Sequence, residues 1–196
     1  MAGSTAKEGG RGGRRWRFAA WGIAALVLLL PLFAMQLTDE VDWGVADFAI
    51  FGAMLVCAGA AYELAARRTG DVAYRAAVAV ALASAFILVW MNLAVGVIGG
   101  EDDPANQMYG GVLAVWIVGA VVARLRPHGM ARALVATALA QALVGVIALT
   151  AGSGSSGPTR PASIVGLTGF FAALWLTSAS LFRKAARRRA PAGAAS

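Results

Sequence analysis

Residues 74–98 read YRAAVAVALASAFILVWMNLAVGVI, an apolar run whose single charged side chain, Arg75, stands near its start. A helix rises about 1.5 Å per residue, so about 20 residues span the roughly 30 Å of hydrocarbon in a bilayer. The run is continuously apolar rather than alternating, and lipid requires each spanning segment to satisfy its own backbone hydrogen bonds. It therefore predicts a transmembrane helix.

Five further apolar runs of similar length flank this one. They cover residues 18–37, 43–66, 104–124, 131–151 and 162–182. Hydrophobic residues make up 59% of the 196-residue chain, more than is typical of soluble domains, and the mean hydropathy is +0.69. We therefore predict an all-α membrane protein whose transmembrane domain, residues 18–183, is a bundle of six helices.

The two ends of the chain differ from this apolar middle. Residues 1–17 are rich in Gly and Arg and lack apolar periodicity, so they predict a disordered basic head. Residues 184–196 predict a basic cytoplasmic tail. The first apolar run is long for a signal peptide and lacks a small-x-small cleavage pattern near its end, which favours a membrane anchor.

Basic residues predict the orientation of the helices, because short cytoplasmic loops of membrane proteins carry an excess of Lys and Arg. With the N-terminus inside, Arg160 is the only one of the 17 Lys and Arg residues placed on the outer side. The sequence therefore predicts a multi-pass protein with both termini in the cytoplasm. Anionic lipid headgroups are the partners expected for its basic ends. The net charge of +7 then reflects orientation, and no binding of nucleic acid is expected.

Residue types that carry catalysis or bind cofactors are scarce. The chain has one histidine, His128, and one cysteine, Cys57, too few to ligate zinc or haem or to build a Ser-His pair. Neither lysine stands in the Gly-Lys-Ser/Thr context of a phosphate-binding loop. We therefore expect no metal, no cofactor and no enzymatic activity.

Polar residues near the outer ends of the predicted helices form the candidate site. Asp47 and Asn92 are each within roughly 10 Å of the outer surface by the helical rise, and the loop before the fourth helix is acidic. The predicted ion or ligand pocket consists of Asp47, Asn92, Glu101, Asp102, Asp103 and Asn106. The alternative is structural, because Asp103 followed by Pro104 is typical of the start of a helix.

Other polar residues within the apolar runs have structural interpretations. Glu63 precedes Arg67 by one helical turn, in the order that favours an ion pair. Gln141 shares a helical stripe with Thr137 and Gly145, and we expect it to bond to a neighbouring helix rather than to a substrate.

Small residues recur at four-residue spacing in the second and third predicted helices. They are Ala53, Cys57 and Ala61 in the second, and Ala77, Ala81 and Ala85 in the third. Such stripes let helix backbones approach closely in lipid. We expect both to pack helices within the chain rather than to form a dimer interface.

The chain contains YELAARR at residues 62–68, EDDPAN at 101–106 and LFRKAA at 181–186. These pieces resemble small bacterial inner-membrane proteins that are uncharacterised, so the resemblance implies a compartment and no activity. Two functions stay open. One is a non-enzymatic role in assembly or interaction with other membrane proteins of the bacterial envelope. The other is a small transporter, or an ion- or proton-responsive protein, that uses the outer acidic pocket.

Overall fold

The computed structural model describes residues 8–38, 42–98, 104–152 and 160–189. All regular structure in these residues is helical, and six of the helices are long and apolar enough to cross a membrane. The prediction of an all-α fold with six such helices is confirmed.

The six α-helices follow the six apolar runs closely. Their bounds are α1 Glu8–Leu37, α2 Val45–Arg67, α3 Val72–Ala94, α4 Met108–Val122, α5 Pro127–Thr150 and α6 Pro161–Arg189. A 3-10 turn, Pro104–Gln107, leads into α4. The carboxylate of Asp71 caps α3 by accepting the backbone N–H groups of Ala73 and Tyr74.

The first and last helices extend beyond their predicted ends. Residues 8–17, predicted to be disordered, belong to α1, and α6 continues through residues 184–189 of the predicted tail. An established helix gains one hydrogen bond for each residue that it adds, so it continues readily into a flanking segment. In α6, Ala, Arg and Lys favour helix, and cations suit its C-terminal end. Residues 1–7 and 190–196 lie outside the described residues.

The chain divides into two compact units, residues 1–60 and 61–196. In the first unit, α1 packs on α2 at two glycines. A Cβ on Gly52 would lie 3.7 Å from the side chain of Leu28, and one on Gly59 would lie 3.0 Å from the ring of Trp21. No residue of the apolar window of α1, residues 20–37, is buried.

The second unit has its own core, in which α5 packs against α4 and α6, and α3 packs against α6. Glycine allows a close approach of α4 and α5, since a Cβ on Gly119 would lie only 2.6 Å from the Cβ of Ala133. The Ser178 hydroxyl donates to the Ala77 carbonyl at 2.7 Å, which joins α6 to α3. The Tyr74 hydroxyl donates to the Leu125 carbonyl at 2.9 Å.

The two small-residue stripes have different surroundings. In α3, Ala77, Ala81 and Ala85 are buried in the core, as predicted. In α2, by contrast, the predicted stripe is exposed at Ala53, Cys57 and Ala61. Within the first unit α1 does not cover this stripe, so the expectation that it packs within the chain stays a prediction. The side of α2 that meets α1 carries Gly52 and Gly59 instead.

Candidate functional site

The predicted outer pocket divides between the two units. Asp47 is an exposed residue in the first turn of α2, where its Oδ2 accepts the backbone N–H of Gly44 at 2.8 Å. This bond satisfies a donor at the helix start and places a negative charge at the positive end of the dipole. Asn92 belongs to the second unit. The proposal that Asp47 and Asn92 face each other therefore stays a prediction.

Asn92 is partly buried near the end of α3. Its Nδ2 donates to the Leu88 carbonyl at 2.8 Å, whereas its Oδ1 has no hydrogen-bond partner in the described part of the chain. This oxygen is therefore a buried acceptor without a partner among the described residues.

Asn106 has a structural role that the sequence did not indicate. Its Oδ1 accepts the N–H groups of Val97 and Ile98, both at 2.9 Å, and its Nδ2 donates to the Ile98 carbonyl at 3.1 Å. These bonds hold the segment that follows α3, and Val97 and Ile98 are buried. The remaining predicted pocket residues, Glu101, Asp102 and Asp103, lie outside the described residues.

The interior of the second unit contains polar groups without partners. Gln141 of α5 is fully buried, and neither atom of its amide forms a hydrogen bond with the described residues. One turn further along α5, a Cβ on Gly145 would lie 2.5 Å from the hydroxyl of Thr168 in α6. The expectation that Gln141 bonds to a neighbouring helix is not met. The bond that does form on this stripe is within α5, from Thr137 to the Ala133 carbonyl.

Further unpaired groups come from α4 and α6. The hydroxyl of Tyr109 lies beside that of Thr168, yet neither makes a hydrogen bond of good geometry to any residue that the structure describes. The indole N–H groups of Trp116 and Trp175 are also buried and unpaired among the described residues, with ring centroids 6.0 Å apart. All these groups are uncharged, and burying them without hydrogen-bond partners costs free energy.

An exposed face of α2 extends the small-residue stripe that the sequence indicated at Ala53 and Cys57. Its residues alternate in steps of four and three: Ala46, Ile50, Ala53, Cys57, Ala60 and Leu64. This spacing places all six on one side of the helix, and all are exposed. We call this set the α2 seam. The sequence shows this spacing, and the structure adds that α1 packs on another side of α2, at Gly52 and Gly59.

Other polar groups are placed as the sequence predicts. Glu63 and Arg67 form an ion pair at 3.2 Å. Among the described residues, no group of three or more His, Cys, Asp or Glu is arranged to hold a metal ion.

Comparison with known proteins gives no relative from which a role could be transferred. No family model matches the chain, and neither a curated protein nor a solved structure is detectably similar to it.

Proposed function

We propose that this chain is a non-enzymatic, multi-pass protein of the bacterial inner membrane that assembles with other membrane proteins through the α2 seam. The observation that carries the proposal is the seam itself, a row of mostly small side chains that is exposed along α2. In lipid, helices associate by close packing rather than by hydrophobic attraction, and small residues allow that packing.

Another helix of the same chain provides a contrast. The exposed side chains in the second half of α4 include Ile117, Val118, Val121 and Val122, which are bulky and branched, whereas small residues are exposed in its first half. Such a surface suits lipid tails, whereas the four small residues of the α2 seam would let another helix approach closely. The difference in side-chain size supports a protein partner on α2 and lipid on the second half of α4.

The proposed orientation places both termini in the cytoplasm. It is supported by the distribution of Lys and Arg, of which Arg160 alone lies on the other side. The basic ends of the helices then lie at the level of the cytoplasmic headgroups.

Photo-crosslinking in living cells tests the α2 seam. Benzoylphenylalanine introduced at Cys57 should give discrete crosslinked protein bands on illumination, because the seam is covered by a partner helix. The same probe at Ile117, an exposed position of α4, is the matched control and should react with lipid only. Mass spectrometry of the bands identifies the partner, including a second copy of this chain. Equal behaviour of the two positions would refute the proposal.

A second candidate function is a small transporter, or an ion- or proton-responsive protein. The observation that favours it is the group of buried, unpaired polar atoms around Gln141 and Thr168, together with the free Oδ1 of Asn92. The outer acidic pocket is the other part of this candidate. Thermal unfolding across pH 5 to 8, with and without millimolar calcium, tests it in the wild type and in Asp47→Asn. A wild-type melting temperature that responds to neither variable would exclude binding at that pocket.

A further inference from the structure

The last three turns of α6 carry a basic groove. It has a volume of about 640 Å³ and is lined by Ser180, Arg183, Lys184, Arg187 and Arg188. All five side chains are exposed. We call this set the α6 groove.

The α6 groove occupies one side of its helix. Successive residues of a helix are about 100° apart, so positions spaced by three, four, seven and eight share a face. Phe182 and Ala185 lie on the opposite side and are fully buried. Arg189 does not line the groove either, because its guanidinium lies 5.4 Å from the centroid of the Tyr74 ring. Four cationic side chains therefore project together from the exposed side.

These four cations lack a counter-charge among the described residues. The ion pair that the structure shows, Arg67 with Glu63, belongs to another helix. Within the groove, Arg183 and Arg187 are one turn apart, and so are Lys184 and Arg188. Like charges at this spacing destabilise a helix, so an anion bound between them would remove repulsion as well as add attraction.

The groove continues into an apolar surface. On the same side of α6, one and two turns earlier, lie Leu176 and Ala173, both exposed. The 29-residue helix is roughly 43 Å long at about 1.5 Å per residue, more than the roughly 30 Å of a hydrocarbon core. Its basic turns therefore extend to the level of the headgroups while the apolar strip faces the acyl chains.

We propose that the α6 groove binds an anionic phospholipid, with the phosphate between Arg183 and Arg187 and an acyl chain along Leu176 and Ala173. The planar guanidinium of Arg can bind two phosphate oxygens at once, whereas the ammonium of Lys acts as a point charge. A soluble anion would use the cations but not the apolar strip. This inference rests on membrane insertion of α6 and is independent of the α2 seam.

Lipid-dependent thermal unfolding of the purified full chain tests the proposal. In neutral detergent, added phosphatidylglycerol should raise the melting temperature of the wild type more than phosphatidylcholine does. Arg183→Gln/Arg187→Gln should lose most of that difference. The control is Arg126→Gln/Arg132→Gln, which removes the same charge from two exposed arginines outside the groove and should retain it. Native mass spectrometry should show phosphatidylglycerol retained by the wild type and the control, and lost from the groove variant.

Three outcomes would overturn the proposal. One is an equal loss in the control variant, which would show unspecific attraction between a basic protein and an anionic membrane. Another is equal stabilisation by inorganic phosphate alone, which would show that the acyl chains contribute nothing. The third is equal stabilisation by phosphatidylcholine. Cooperative melting of both variants in detergent without added lipid, at or above the wild-type temperature, verifies that they are folded.

Discussion

Gln141 carries a polar amide in an interior that gives it no hydrogen-bond partner. Its amide is fully buried and neither polar atom has a partner among the described residues, and an unpaired buried amide costs about 1–3 kcal/mol. Gln141→Leu keeps a similar volume and removes that cost, so we expect the melting temperature in detergent to rise by a few degrees. Thr137→Val is the control, because the Thr137 hydroxyl is already bonded to Ala133. A fall in the melting temperature of Gln141→Leu would instead show that the amide holds a bound molecule, as the transporter candidate requires.

Asn106 should matter more for stability than Asp47. Asn106 makes three hydrogen bonds to the segment after α3, and each such bond contributes about 1 kcal/mol. We expect Asn106→Ala to lower the free energy of unfolding by about 2–3 kcal/mol. Asp47→Ala removes one exposed capping bond and should cost clearly less. Denaturant titration of both variants measures the difference, and equal losses would contradict the structural role assigned to Asn106.

At the scale of helices, close approach of α5 and α6 depends on Gly145. A Cβ added there would lie 2.5 Å from the Thr168 hydroxyl and 3.0 Å from the Thr168 Cβ, so a side chain must displace α6. Gly145→Ala should therefore destabilise the second unit. Gly169→Ala is the matched control, since nothing lies within 4 Å of its Cβ, and it should be neutral or stabilising by up to about 1 kcal/mol from helix propensity. In a double-mutant cycle, Thr168→Ala should recover part of the loss. Additive effects of the two substitutions would show that α5 and α6 do not touch there.

The helices themselves were predictable because their signal is local. Length and hydropathy alone identify each apolar run, and the structure moves the starts of α2 and α3 by only two residues, to Val45 and Val72. Packing was not predictable in the same way. The stripe of Ala77, Ala81 and Ala85 is buried and that of Ala53, Cys57 and Ala61 is exposed, yet both have the same spacing. Which stripe acquires a neighbour depends on the tertiary arrangement.

In the candidate site, too, the sequence indicated residues by their chemistry but not which groups they contact. Asp47 and Asn106 were selected for their chemistry, and the structure uses both to satisfy backbone groups of nearby chain. The unpaired groups of Tyr109, Trp116, Thr168 and Trp175 come from two helices and were not selected. Tyrosine, threonine and tryptophan are ordinary in membrane helices, so their convergence is visible only in three dimensions.

For the whole molecule, the proposed topology makes the sharpest prediction. Reporter fusions after Asp71, Gly129 and Ala190 should behave as cytoplasmic, and fusions within 38–42, 99–103 and 152–160 as periplasmic. The physical basis is that Lys and Arg near short loops resist translocation, and Arg160 is the only such residue on the proposed outer side.

Gly129 is the decisive position, because it follows the turn between α4 and α5 and is flanked by Arg124, Arg126 and Arg132. Replacing these three arginines with glutamine should weaken the cytoplasmic signal at Gly129. The same change at Arg160 alone should not alter it, since that residue opposes the proposed orientation. With six crossings, the fusions at Asp71 and Gly129 must report the same side, since two helices, α3 and α4, separate them. A periplasmic signal at Gly129 in the unmodified chain would mean that one of these helices does not cross. That would also remove the proposed orientation of the α6 groove.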